Sequence, residues 1–113
     1  MKLTETEISK LKEIFRDVPN YDSEDPLEPI DPLTYEAPDG DNCLHIASLR
    51  GDVQAMKLLL KAGFDVNCIG DIGCTPLHYA VSSKNQEAID FLLQHGASRN
   101  STNELGTPAY PEP

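Results

Sequence analysis

The chain has 113 residues and carries 19 acidic against 9 basic side chains, a formal charge of -10. That excess of carboxylates argues against nucleic acid and anionic membrane as partners, since both recruit positive surface, and makes a basic protein the natural complement. One domain of this length buries under about 70% of its unfolded chain's surface, so a deep catalytic cavity is not expected.

The first residues, Met1 to Glu5, are polar and acidic with no apolar run behind them, and nothing downstream approaches the ~20 apolar residues of a membrane span. Three cysteines, Cys43, Cys68 and Cys74, form an odd set without a secretory context, which points to reduced thiols and a cytoplasmic location. Residues 4–18 read as an amphipathic helix: Thr4 and Glu7 make a capping box, and Ile8, Leu11, Ile14, Phe15 and Val18 recur at three-to-four-residue spacing before Pro19. With one face to bury and one to wet, residues 1–18 are expected to cap the end of a stack.

Residues 19–39 differ in kind. Five prolines lie between Pro19 and Pro38, with eight acids and no base from Pro19 to Asp41. Prolines at that density exclude a helix and the like charges repel, so a loop is expected. Tyr21, Leu27, Ile30, Leu33 and Tyr35 are interspersed regularly enough to anchor that loop on the stack with its carboxylates outward.

From residue 40 the chain repeats itself. Leu44-His45 returns as Leu77-His78, and sliding 40–67 onto 73–100 also superposes Gly40/Gly73, Ala47/Ala80, Ala55/Ala88, Leu59/Leu92, Leu60/Leu93, Gly63/Gly96 and Asn67/Asn100. A fixed period of this length is the signature of a stacked solenoid, because one unit cannot bury its own apolar face. Helices are expected near 43–50 and 53–61 in the first copy (40–72), and near 76–83 and 86–94 in the second (73–103). Thr75 and Pro76 start a helix, and Gly63 and Gly96 stop two. A third copy, 104–113, opens at Glu104-Leu105-Gly106-Thr107-Pro108, one residue short of register, and ends before a helix can form.

The string Gly73-Cys74-Thr75-Pro76-Leu77-His78-Tyr79-Ala80 resembles the hallmark turn and first helix of the ankyrin-repeat family, and Leu58 to Asn67 resembles its second half. The resemblance covers about 40–108 and leaves residues 1–38 outside. It implies an all-α ankyrin solenoid of two full helix-turn-helix repeats and a truncated third, with the N-terminal helix as cap. Asn42-Cys43 in place of Thr-Pro, and Lys84-Asn85 in place of Gly-His, depart from the family pattern and are expected to weaken caps and turns. Stacked repeats generally need about three units, so the N-terminal helix and acidic loop, or a partner, must supply a missing face.

No phosphate loop, Ser/His/Asp set or chelating Cys-x-x-Cys is present, and Asp22, Glu24 and Asp25 lack the glycine of a calcium loop. The ankyrin resemblance implies that His45 and His78 bond backbone and hydroxyl groups across the turn, and no cofactor, metal or enzymatic activity is expected. The ankyrin resemblance places binding on the turn tips and the inner face of the first helices. Those positions are Asp39, Asp41, Leu49 and Arg50 in the first copy, Asp71, Ile72, Cys74, Ser82 and Ser83 in the second, and Glu104 and Leu105 in the stub. Ile72 and Leu105 would form an apolar centre within an acidic rim. The loop acids Asp22, Glu24, Asp25, Glu28, Asp31 and Glu36 are either a solubilising face or a polyanion mimic facing a basic cleft. Two readings follow. One is a small acidic inhibitor, resembling bacterial immunity proteins, that occludes a basic toxin such as a nuclease as a monomer or heterodimer. The other is an adapter with a non-basic partner.

Overall fold

The computed structural model describes residues 3–21, 23–25 and 27–110. Asp22, among the expected binding acids, and the terminal Pro111-Glu112-Pro113 lie outside the described residues. Among the described residues five helices follow in order, α1 (Glu5–Ile14), α2 (Cys43–Arg50), α3 (Val53–Lys61), α4 (Pro76–Ser82) and α5 (Gln86–Gln94), with a single 3-10 turn at Asp71–Gly73. The described residues contain no strand, only an isolated bridge between Thr102 and Pro108.

Helix α1 starts where its capping box requires, with Glu7 N–H donating to Thr4 Oγ1 and Thr4 N–H to Glu7 Oε1. It ends at Ile14, earlier than its apolar spacing suggests. Arg16 and Val18 close onto Glu13 and Phe15 in tight turns, which suits a chain that must leave the helical region before Pro19. Phe15 and Val18 stay buried through those turns.

Three of the four repeat helices are capped by the side chain that precedes them, while α4 starts at Pro76. Asn42 Oδ1 accepts from Leu44 and His45 N–H, Asp52 Oδ1 from Ala55, and Asn85 Oδ1 from Ala88. The Asn42 and Asn85 departures therefore leave these helix starts fully capped, because asparagine is itself among the strongest N-caps. Lys84 is the exception: it stands at φ +59, in the left-handed position that Gly51 fills at φ +71 in the preceding repeat.

Helices α2 and α4 pack side by side as one row, and α3 and α5 form a second row behind them, each repeat closing as a hairpin. Ala55, Met56 and Leu59 of α3 and Ala88, Ile89, Phe91 and Leu92 of α5 are buried against Leu44, Ala47, Leu77 and Ala80 of the first row. A fully buried leucine of this kind contributes roughly 2 kcal/mol. Helix α1 packs against α3, without comparable contact to α5, and so adds to the second row.

The proline-rich segment supplies the rest of the N-terminal cover. Ile30 and Pro32 are buried and Leu33 and Tyr35 are partly so. Tyr21 and Leu27, expected as further anchors, instead stand 64% and 88% exposed. At the other end the stub folds back as a hairpin: Ala109 N–H donates to Ser101 C=O, Tyr110 N–H to Arg99 C=O, and the Arg99 guanidinium lies 4.5 Å from the Tyr110 ring centroid. Ala109 is buried beneath it.

Candidate protein-binding surface

Three turns of identical construction project from the stack. In each, one backbone bond joins two residues four apart: Ala37 N–H donates to Asp41 C=O (2.8 Å), Gly70 N–H to Cys74 C=O (2.8 Å), and Asn103 N–H to Thr107 C=O (3.0 Å). The spacing between these pairs is constant, so the third turn keeps register even though its Thr107-Pro108 comes one residue early. Adjacent tips are tied together, Asp71 N–H to Asp41 Oδ1 (2.9 Å) and Glu104 N–H to Ile72 C=O (2.8 Å). The ties turn three loops into one ledge.

Two buried histidines support the ledge from below. His45 Nδ1 accepts from Asn42 N–H and its Nε2 lies 3.0 Å from Cys68 C=O, while His78 Nδ1 accepts from Thr75 N–H and its Nε2 lies 2.9 Å from Thr107 C=O. An acceptor at Nδ1 and a donor at Nε2 define the neutral tautomer in both rings. Burial holds His45 below the usual imidazole value, against the opposing pull of the Cys68 and Cys74 carbonyls and the Asp41 and Asp39 charges. With both nitrogens committed, neither ring is a free base or ligand. Among the described residues no three His, Cys, Asp or Glu side chains converge as metal ligands.

The three cysteines sit in different surroundings. Cys43 is fully buried and burial pushes its thiol up to about 12, whereas Cys68, from the far end of the repeat, approaches His45. Cys74 is half-buried and accepts from Asn103 Nδ2 at 3.4 Å, which ties it to the third turn.

On the ledge, Ile72 and Leu105 occupy equivalent positions, 42% and 74% exposed, with Asp39 as their counterpart on the first tip. Ile72 and Gly73 both adopt left-handed backbone, φ +47 and +75, closed by Cys74 N–H to Asp71 C=O in the type I′ pattern. A β-branched residue at that first central position is an outlier, since asparagine, aspartate or glycine fits it at far lower strain. Asp39 and Glu104 are exposed beside this apolar pair and Asp71 is half-buried.

Other expected binding residues have structural work of their own. Asp41 is half-buried and bonded to Tyr79 as well as to Asp71. Arg50 forms a bidentate pair with Asp17 (2.9 and 3.3 Å) and lies over Phe15, joining α2 to the end of α1. Asp25, Asp31 and Asp39 each accept from the backbone N–H two residues on, and Ser23 Oγ donates to Glu28. Glu24 and Glu36 are exposed, as are Ser82 and Ser83 at the end of α4, where Ser83 Oγ donates to Ala80 C=O.

Leu49 and Arg50 open onto a cleft of about 590 Å³ between α2 and the proline-rich segment. Its walls include Asp17, Tyr21, Tyr35, Asp39, Asp41 and Ile46. Sequence reasoning made Tyr21 and Tyr35 anchors of the loop on the stack and put Asp17 on the wetted face of the first helix. Only the return path of the loop, which no periodicity encodes, brings them together.

The family model for ankyrin repeats in three copies matches residues 15–103, reaching back into the acidic segment that the repeat motif alone leaves outside. The chain is 35% identical to protein phosphatase 1 regulatory subunit 12A of Mus musculus over 66% of its own length and 7% of that protein's. It is 39% identical to protein phosphatase 1 regulatory subunit 27 of Homo sapiens over 61% of its length and 45% of the relative's. Similarity to the NF-kappa-B inhibitor cactus of Drosophila yakuba is 38% over 64% of the chain and 15% of that protein. The chain thus spans less than half the length of each of these relatives.

Proposed function

The chain belongs to the ankyrin-repeat family, and on that premise we propose that it is a non-enzymatic protein-binding module whose tip ledge and acidic loop dock on a basic protein partner. The observation that carries this reading is the pairing of Ile72 and Leu105, exposed on adjacent tips, with the acidic side chains Asp39, Asp71 and Glu104 around them, on a chain of charge -10. An apolar centre with a charged rim is the anatomy of a protein interface, and the rim sets the sign of what approaches. In its sharpest form the partner is a cationic enzyme, such as a nuclease toxin, and this chain inhibits it as an immunity protein does, by covering its active cleft. It acts in the cytoplasm as a monomer that becomes a heterodimer on binding.

The regulatory and inhibitory names of the relatives support a binding role without fixing the sign of the partner's charge. A second reading, an adapter with a non-basic partner, draws on the phosphatase regulatory subunits among them. Affinity capture at low salt separates the two, using the natural chain beside one with Ile72→Ser and Leu105→Ser. A cationic protein retained by the first and lost by the second supports the inhibitor. A neutral or acidic protein that also survives charge neutralisation of the loop supports the adapter.

A further inference from the structure

The cleft between α2 and the proline-rich segment has a composition that the tip ledge does not share. Its floor is apolar, from Ile46, Leu49 and flanking prolines, and its rim carries two tyrosines and three carboxylates, Asp17, Asp39 and Asp41. Among the described residues Arg50 is the one basic side chain lining it, and the bidentate pair with Asp17 neutralises that charge. Two carboxylates are left over, so the cleft is net negative. Asp41 is held by Tyr79 and Asp71, whereas Asp39 uses one oxygen to accept from Asp41 N–H and is otherwise exposed.

Tyr21 is 64% exposed and Leu49 49% exposed, both at the cleft. A large exposed aromatic in a cleft that carboxylates also line offers a flat, electron-rich face with counter-charge in the same cleft, which suits a cation better than a neutral apolar group. Tyr35, deeper in, has its phenol pushed up, first by burial and then by the neighbouring Tyr21, Cys43, Asp39 and Asp41. A volume of about 590 Å³ lies within the roughly 300–1,000 Å³ typical of small-ligand sites, which is ample for one long side chain with its flanking backbone.

We propose that this cleft receives an arginine side chain from the basic partner, its guanidinium stacked on Tyr21 and paired with Asp39, and its methylenes on Leu49 and Ile46. The inference rests on the basic-partner reading and adds a second point of contact, which reaches from the first tip back along α2 to Tyr21. Arginine fits better than lysine because a planar guanidinium can stack and pair at once.

The test uses the full chain and a short blocked glycine peptide carrying two arginines, beside the same peptide with citrulline in their place. Binding is followed through the NMR signals of the Tyr21 and Tyr35 rings and the Leu49 methyls. The expected result is that the arginine peptide shifts these signals and the citrulline peptide binds at least about tenfold more weakly. Tyr21→Ala and Asp39→Asn should each weaken binding about threefold or more. Both residues are exposed, and asparagine keeps the Asp39 turn acceptor, so the circular dichroism spectrum should not change. Equal binding of the citrulline peptide overturns the proposal, as do signals that stay unmoved in the cleft. If a captured cationic partner keeps its affinity for Tyr21→Ala, a residue outside the ledge, the cleft is refuted alone. If that partner binds without salt dependence, the basic-partner reading is refuted instead.

Discussion

The Tyr79 hydroxyl lies 2.7 and 2.8 Å from the two carboxylate oxygens of Asp41, on a residue of the preceding repeat. Asp41 also accepts from Asp71 N–H, so one carboxylate joins the first tip, the second tip and helix α4. A charge-assisted bond of this kind contributes about 1.5–3 kcal/mol, more than most single contacts between neighbouring repeats. Asp41 is therefore better described as a tie within the ledge than as a free acid offered to a partner.

Tyr79→Phe removes the proton and leaves the half-buried Asp41 with a backbone partner only. Urea denaturation should show a loss of about 2 kcal/mol, and a change under about 0.5 kcal/mol would show that the bond adds nothing in water. The same contact keeps the phenol protonated well above the ordinary tyrosine value of 10.0, through burial first and then Asp41. A folded-state pKa raised above the unfolded one contributes stability that is complete below about pH 10 and is lost as pH rises beyond it. In absorbance titration one tyrosine should ionise only as the protein unfolds, and that step should vanish in Tyr79→Phe.

Ile72 should be the reverse case. Its left-handed backbone costs roughly 1 kcal/mol that glycine or asparagine would not incur. Ile72→Asn should raise the urea midpoint by an amount worth about 1 kcal/mol while weakening partner binding. Loss of stability would mean that the side chain's packing outweighs the strain.

Gly51 is confined by its surroundings as well as by its φ of +71. A Cβ there would lie 2.0 Å from Asn85 Nδ2, and Asn85 is not free to turn away because its Oδ1 caps α5. Gly51→Ala should cost about 2 kcal/mol or more by thermal or urea unfolding. Lys84→Gly, at the matching place in the next repeat, should stabilise by about 1 kcal/mol.

His45 predicts the acid side of the stability curve. Its folded-state value lies below the ordinary 6.5, so the unfolded chain takes up the proton first. The stability it contributes is complete above about pH 6.5 and is lost as pH falls through the lower folded value. His45→Gln should be less stable at neutral pH and should show a shallower decline just below pH 6.5. An imidazole that titrates at its ordinary value in NMR would contradict the burial argument.

Much of the stack was legible because the chain states it twice. The paired Leu-His units, the apolar stripes of α3 and α5, and Gly63 and Gly96 at φ +106 and +92 each recur at one spacing. Where the second copy is missing, reading is harder. Helix α1 has no Thr-Pro-Leu-His string before it, so its place in the second row behind α2 and α4 was invisible until its contact with α3 was known. Tyr21 and Leu27 looked like anchors because apolar spacing in a loop carries no period to say which side faces inward. The strain at Ile72 and the Asp41 to Tyr79 bond depend on backbone angles and on contacts between repeats that composition does not encode.

The most direct test of the acidic docking surface is the association rate of the captured partner, measured over a range of salt concentrations. It compares the natural chain with one in which Asp22, Glu24, Asp25 and Glu28 are replaced by Asn and Gln. The expected result is a rate approaching 10^8 per molar per second at low salt that falls steeply with added salt, and a variant about tenfold slower with a flatter dependence. Rates that ignore both the salt and the four substitutions would contradict it.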